Sequence, residues 1–506
     1  MDISRRFFIA GAASFGAFGG SRMLRAAPGA AVGKPNLTFG VVSDIHFSAY
    51  VGSPSYAKNS ETFRHTLEWF RDQGVDAVMV VGDMADNGMV GQLQGVADAW
   101  YAVFPNDKAP DGRKVEKLFV YGNHDWQGWA YGSHAEKKFP DAVERAKHIL
   151  ANDYAGWWER IFHETYAPVS FKKVKGYAFI GSQWRDAGCK GRNETGTLGI
   201  AAFLEANGKT LDPALPFFYY QHPHPKDTCY GSWAWGHDSG ESTKALSAFP
   251  NAIAFSGHSH YSLTDERSIW QGAFTSLGTS SLRYTGLPYD AHPPAGYENS
   301  TGGAKFDPYK VMSRYSSIDG RQGMLVRVYA DHIAFARREF VYDTFLGDDW
   351  VLPLPVAESK PFAFAERAKK SVAPEFAAGA AVSVASVKAK NRGSNAVKKA
   401  SKKGLKEIPS VEKDCIKVEF PQANAAKGVR ALEYEVAIER KDGSQDVRRV
   451  LPPGFNMCLA DKRTAEPVKC VIACDQLPKD DFRFVVTPVS SLEKKGAPLV
   501  SAWQKI

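Results

Sequence analysis

Five apolar runs in this chain each lead into residues of the kind that bind metal ions, and few folds can accommodate that pattern. Leu37-Thr38-Phe39-Gly40-Val41-Val42 reads as a buried strand and leads into Asp44-Ile45-His46. Ala77–Val81 leads into Gly82-Asp83, and Leu118–Tyr121 into Gly122-Asn123-His124-Asp125. Phe217–Gln221 leads into His222, and Ile253–Ser256 into Gly257-His258-Ser259-His260. A core strand that ends in a carboxylate or an imidazole delivers that group to the rim of a sheet. In open α/β sheets, ligands bind outside the carboxyl ends of the strands. The five clusters therefore read as one site.

The stretches between them fit a layered α/β fold. Ser60–Gln73 is predicted to be an amphipathic helix, with Phe63, Leu67 and Phe70 on one face and Gly74 to stop it. A second helix is expected over Gln92–Phe104, then a loop over Pro105–Arg113. The β-α-β-α-β alternation argues for helices packed on a largely parallel sheet. Trp126–Phe162 reads as a helical insertion rich in tryptophan. Val169–Phe171 and Tyr177–Ile180 read as paired strands, and Ala201–Asn207 as a short helix. Ile269–Leu277, Met324–Tyr329 and Ile333–Phe340 read as further strands, the last two antiparallel partners. Pro288–Asp307 is a long loop.

With 506 residues the chain is expected to hold two folded units and connectors. Residues 1–31 read as an export signal: Ser4-Arg5-Arg6-Phe7-Phe8 resembles the twin-arginine motif, and an apolar Gly/Ala-rich stretch follows. The implied location is periplasmic or secreted, with no spanning segment after cleavage. The first folded unit is placed at 34–350. Residues 351–410 read as a connector, Lys/Ala-rich over Ala377–Ser410. In 411–506, alternation at Ile416-Val418-Phe420 and Leu432-Tyr434-Val436-Ile438 predicts a small β-sandwich of the fibronectin type III kind. The net charge of +8 is modest, and much of it sits in the N-terminus and the lysine run, so it gives no strong nucleic-acid signal. Six cysteines in an oxidising compartment would allow disulfides.

The residue types at the strand ends carry the chemistry. Asp44 and His46 are two apart, share one face of an extended segment and can hold one ion together. The carboxylate of Asp83 can bridge two ions. Asn123 offers a neutral oxygen, and His222, His258 and His260 offer imidazoles. This mixture suits two transition-metal ions, divalent or trivalent, of Zn, Fe or Mn rather than Ca or Mg. Seven side chains exceed what one catalytic ion with open positions needs, and suit a pair with a bridging water. No Gly-Lys-Ser/Thr phosphate loop and no Gly-x-Ser-x-Gly elbow is present, so a metal-activated hydroxide is the simplest nucleophile. His124 can protonate a leaving oxygen or steady a phosphoryl charge. Asp125 can orient that imidazole or carry backbone contacts. Arg185 and Arg283 can pair a phosphate, and His224 competes with His222 as the ligand after its strand.

The order Asp-x-His, Gly-Asp, Gly-Asn-His-Asp, His, Gly-His-x-His resembles the calcineurin-like metallophosphoesterase superfamily over about Pro35 to Asp349. The resemblance implies a four-layer α/β/β/α sandwich. It implies that Asp44, His46, Asp83 and His260 hold one metal, that Asp83, Asn123, His222 and His258 hold the other, and that His124 is catalytic. The purple acid phosphatases carry Asp-x-Gly and a tyrosine after Gly-Asp. Here His46 replaces that Gly, and Met84-Ala85-Asp86 has no tyrosine, so a tyrosinate–iron centre is not expected. Gly82-Asp83-Met84-Ala85-Asp86-Asn87-Gly88 looks closer to bacterial phosphodiesterases of the superfamily. The expected function is hydrolysis of small-molecule phosphate esters, with diesters favoured. The alternatives are a phosphomonoesterase or nucleotidase, and an exported binding or surface protein whose metal site is structural.

Overall fold

The computed structural model describes residues 33–48, 56–127, 136–137, 139–184, 197–231, 234–286, 320–391, 411–426, 428–458 and 461–506. The export signal, Arg185, Cys189 and the Pro288–Asp307 loop lie outside them.

Two sheets form the centre of the larger part. In the first, β1 (Leu37–Val42), β2 (Ala77–Val81) and β3 (Glu116–Val120) run parallel. β10 (Gln322–Val328) pairs antiparallel with β1, and β11 (His332–Glu339) with β10. The second sheet has the order β4-β5-β6-β7-β9-β8. Its β5 (Tyr177–Ser182), β6 (Phe217–Tyr220), β7 (Ala252–Ser256) and β9 (Thr275–Gly278) are parallel neighbours. Its β4 (Val169–Val174) makes the expected antiparallel pair with β5.

The side-chain alternation of β1 and β2 shows why both sheets are covered on both faces. Phe39, Val41, Met79 and Val81 enter a core shared with Phe179, Phe218, Ile253 and Phe255 of the second sheet. The Phe39 ring lies edge-on to Phe179 and Phe218, with centroids 5.3 and 4.9 Å away. Val42, Val78 and Val80 face the other way, against Phe63, Leu67 and Phe70 of α1 (Tyr56–Asp72) and Leu93, Val96 and Trp100 of α2 (Val90–Val103). Beyond the second sheet, Ile180, Tyr219 and Ala254 pack on Ile200, Leu204 and Leu246 from two more helices, Thr197–Asn207 and Glu241–Leu246. The layers are helix, sheet, sheet, helix. Strands buried on both faces must be almost wholly apolar, which is why they stood out as unbroken runs.

Two expectations need correction. Ile269–Leu277 is not one strand but a hairpin, β8 (Ile269–Gln271) antiparallel to β9, turning at Gly272. A Cβ on Gly272 would sit 2.3 Å from the Trp270 indole, so the turn folds back where only glycine fits. The connector also contains structure. Within 351–410, Ser383–Asn391 is a nine-residue strand, β14, paired along its length with β15 (Val411–Phe420). Lys388 and Lys390 lie in it.

The C-terminal part is a two-sheet sandwich. β14, β15 and β18 (Val468–Ala473) make one sheet; β17 (Gln445–Val450), β16 (Glu433–Arg440), β19 (Phe482–Val489) and β20 (Leu499–Val500) make the other. Ile416, Val418, Phe420, Tyr434, Val436 and Ile438, the residues whose alternation predicted it, fill its core with Phe484 and Val486. Among the described residues, Cys229, Cys415, Cys458 and Cys474 are free thiols and take no part in the disulfides that the sequence allows. No helix among the described residues is long and apolar enough to cross a membrane.

Candidate metal centre

Parallel pairing brings the ends of β1, β2 and β3, and of β6 and β7, to corresponding rims of the two sheets. The side chains meet there. Asp44, His46 and His260 offer ligand atoms all within 4.8 Å of one another, and so do Asp83, His222 and His258. A third set, His46, Asp83 and His124, overlaps both. His260 Nε2 lies 2.8 Å from Asp44 Oδ1 and 3.1 Å from His46 Nε2. His222 Nε2 lies 3.1 Å from Asp83 Oδ2 and 3.9 Å from Asp44 Oδ1.

The backbone is strained to make this cluster. Asp44, His46, Asp83, His258 and His260 all have positive φ, at 52°, 47°, 50°, 71° and 58°. Left-handed non-glycine residues cost on the order of 1–3 kcal/mol each and gather at functional sites. The glycines of the motifs serve close approach. A Cβ on Gly82 would lie 2.4 Å from His222 Nδ1, one on Gly122 would lie 2.2 Å from Asp83 Oδ1, and one on Gly257 would lie 2.5 Å from Asp44 Oδ2.

Neighbouring groups fix which atoms face inward. His222 Nδ1 donates to the Val81 carbonyl at 2.7 Å, which sets its tautomer and turns Nε2 to the cluster. Asp44 Oδ2 accepts from Ser43 Oγ at 2.5 Å and from the His258 N–H at 3.0 Å, leaving Oδ1 for the cluster. Asn123 Oδ1 is buried with no hydrogen-bond partner, while Asp44 Oδ1 and His222 Nε2, also buried, meet other ligand-type atoms of the cluster. Buried polar atoms are almost always satisfied. An unsatisfied amide oxygen on the turn that bonds Asp83, beside carboxylates and imidazoles crowded onto one another, fits a site built for cations.

Charge supports the same reading. Burial opposes ionisation of Asp83, yet His222 and His124 outweigh it and hold its carboxyl well below the ordinary range. Asp44 is likewise held down, by His260 and His222 against burial. Burial would lower His46, but Asp44, Asp86 and Asp83 raise it to about 10; Asp83 and Asp44 raise His222 to about 9. His258 goes the other way, to about 3, through burial and the neighbouring His222.

The remaining expected residues sort as follows. His224 spends both ring nitrogens on Ser256 Oγ and Ser259 Oγ, each at 2.7 Å, so His222 is the strand-end histidine in the cluster. Asp125 does not orient His124. Its carboxylate accepts from the N–H groups of Ala85, Gly122 and Met84 at 2.6, 2.8 and 3.2 Å and ties the Gly-Asp turn to the Gly-Asn-His-Asp turn. His124 is oriented instead by Nδ1 donating to the Asp86 carbonyl at 2.7 Å. Its ring centroid lies 4.6 Å from that of His46. The Asp86 carboxylate lies 3.2 Å from His46 Nδ1. Arg283 Nη1 donates to the His46 carbonyl at 3.0 Å and to Ser48 Oγ at 3.1 Å. Sequence reasoning missed Trp235, stacked 4.4 Å from His258, and Tyr284, 4.5 Å from His260. The only signal for them was aromatic richness beside the histidines.

Residues 37–262 match the sequence model of the calcineurin-like phosphoesterases. That region belongs to this family. The family's two-metal chemistry makes this part of the chain a phosphoesterase domain, as the ordered motifs implied. Among solved structures, a dimetal phosphatase from Danio rerio is similar at 11% identity and a TM-score of 0.34, over 63% of this chain and 99% of that one. A purple acid phosphatase from yellow lupin (Lupinus luteus) seeds is similar at 12% identity and a TM-score of 0.35, over 64% of this chain and 56% of that one. No curated protein sequence matches the chain.

Proposed function

We propose that this protein is an exported, two-metal hydrolase of phosphate esters that favours diesters. The observation that carries the reading is the meeting of two groups of potential ligand atoms at the strand ends, Asp44, His46 and His260 in one and Asp83, His222 and His258 in the other, each group within 4.8 Å. Asp44, His46 and His260 would hold one ion, and Asn123, His222 and His258 the other, with Asp83 shared between them. Their mixture of oxygen and imidazole donors suits Zn, Fe or Mn. When bound, such a pair acidifies water and polarises a phosphoryl oxygen. The chain's own part is to present its ligands in fixed tautomers and rotamers, and to supply a proton. His124 Nδ1–H is committed to the Asp86 carbonyl, so proton exchange with a leaving oxygen runs through Nε2.

The preference for diesters rests on the sequence Gly82–Gly88, in which Met84-Ala85-Asp86 carries no tyrosine after Gly-Asp. The test is elemental analysis of the purified protein followed by turnover of a chromogenic diester against the matching monoester. About two transition-metal ions per chain and faster diester turnover are expected. One ion or none, in protein kept from chelators, defeats the two-metal reading. Asp83→Ala is expected to lose the most metal of any single change.

Export rests on Ser4-Arg5-Arg6-Phe7-Phe8. Replacing Arg5 and Arg6 by Lys is expected to retain the protein in the cytoplasm. Undiminished export would point to the general secretory route instead.

A further inference from the structure

The loop between β17 and β18 of the C-terminal sandwich reaches the segments beside the metal-type cluster. Arg430 braces that loop: its Nη1 donates to the carbonyls of Met457 at 2.6 Å and Gly454 at 3.2 Å, and its Nη2 to the carbonyl of Phe455. From the other side, Thr264 Oγ1 donates to the Phe455 carbonyl at 2.6 Å and Gln322 Nε2 to the Asn456 carbonyl at 2.8 Å. The Asn456 side chain then reaches further. Its Nδ2 donates to Thr285 Oγ1 at 2.9 Å, and both residues are buried. A Cβ on Gly320 would lie 2.6 Å from Asn456 Nδ2 and 2.7 Å from Thr285 Oγ1, so backbone closes over the pair.

Thr285 belongs to a strap, residues 281–286, that is tied to the segments carrying the proposed ligands. Ser281 Oγ donates to the Asp44 carbonyl at 3.1 Å, Leu282 N–H to the Ser43 carbonyl at 3.0 Å, and Arg283 Nη1 to the His46 carbonyl at 3.0 Å. At its far end the Gly286 N–H donates to the His260 carbonyl at 2.5 Å. Tyr284, next to Thr285, lies against the His260 ring and parallel to that of His46, at 17°. All these ties lead to Asp44, His46 and His260, and none of them to the Asp83, His222 and His258 group.

We propose that Asn456 is a positioning residue for the active site: the C-terminal sandwich uses it to pin the 281–286 strap, and through the strap it sets the Asp44–His46–His260 half of the centre. The proposal rests on reading those three residues as metal ligands. It assigns the C-terminal part a role in the site rather than in recognition at a distance. It also makes the effect one-sided, because the strap's hydrogen bonds end on the segments of Asp44, His46 and His260, whereas Asp83 and His222 follow β2 and β6.

The test uses the full chain loaded with metal. Thr285→Val keeps the side chain's volume and drops the acceptor, Thr285→Ser keeps the hydroxyl, and Asn456→Ala removes the donor. A buried group left without its partner shifts an equilibrium or rate by about 5- to 150-fold. Thr285→Val and Asn456→Ala should therefore speed release of one of the two ions to a chelator by about tenfold, leaving the slower ion unchanged. Thr285→Ser should release both like the wild type, and the double variant should be no faster than the faster single one. Where Thr285→Val does not fold, Asn456→Asp, which keeps the shape but lacks the Nδ2 donor, takes its place. Folded variants that release both ions at wild-type rates overturn the proposal, as does equal acceleration of both ions. A wild type that binds fewer than two ions defeats the reading of the centre itself, and this proposal falls with it.

Discussion

His124 is the residue on which catalysis and metal binding are to be told apart. Its backbone N–H donates to Asp83 Oδ1 at 2.8 Å, and burial holds its ring below the ordinary histidine pKa, with Asp83 in partial opposition. General acid catalysis is typically worth about 10²–10⁴-fold, so His124→Ala should lose that much turnover while keeping its metals. The loss should be greater for alkyl than for nitrophenyl leaving groups, since an alkoxide needs the proton more. Equal losses would mean that His124 acts on phosphoryl charge; lost metal would make it a ligand, as the overlapping His46–Asp83–His124 set permits. Gly82 gives a second prediction. At φ +87° and with His222 Nδ1 where its Cβ would be, Gly82→Ala must displace the imidazole that the Val81 carbonyl orients. Metal content should fall in a chain that still folds, and unchanged metal would show that the rim can give way. The ligand-type residues were legible in the sequence because each follows a strand. Trp235, Tyr284 and Asn456 were not, because their positions depend on loops whose partners lie far along the chain.

Secondary elements were legible where both faces are buried and less so where a turn or a pairing partner decides. β7 ended where the sequence placed its end, at Ser256, because the apolar run stops there at Gly257-His258. The β8–β9 hairpin looked like one strand because its turn, Gly272-Ala273, carries no charge. β14 looked like a connector because it is an edge strand, rich in lysine on its outer face, and such strands lack the apolar run. Helix α2 carries a test of packing against propensity. Gly95 is buried in it, and a Cβ there would sit 2.4 Å from the ring of Phe47, the residue after His46. In an open helix Gly→Ala gains about 1 kcal/mol. Overpacking costs about 1–3 kcal/mol, so Gly95→Ala should instead lower stability, by up to about 2 kcal/mol, in denaturant unfolding. A stabilised variant would show that Phe47 can move without cost, and that α2 does not buttress the His46 turn.

Across the whole molecule, two sheets from distant parts of the chain hold the ionisable groups of the cluster together, and this sets how metal uptake depends on pH. In the metal-free chain His46 titrates at about 10 and His222 at about 9, held up by Asp44, Asp83 and Asp86 against burial. Both rings are then cationic at neutral pH, and their ion pairs take the place of metal. Each keeps its Nδ1 proton when a cation arrives, on the Asp86 carboxylate for His46 and on the Val81 carbonyl for His222. The proton lost is the one on Nε2. Metal ligands must be deprotonated, so uptake near pH 7.5 should release about two protons per chain, and apparent affinity should weaken as pH falls. The sign for stability follows from the same values. A histidine whose folded pKa is raised stabilises the metal-free fold fully below its unfolded value of about 6.5, and that contribution is lost as pH rises through about 9 and 10. Metal binding strengthens over the same interval, so the gap in Tm between loaded and metal-free protein should widen from pH 6 to pH 9. Calorimetric titration in two buffers of different ionisation enthalpy counts the protons, and unfolding scans across that range measure the gap. Uptake without proton release, with a Tm gap that stays constant, would mean that the imidazoles are neutral before metal arrives and that the carboxylates of the cluster are paired in some other way.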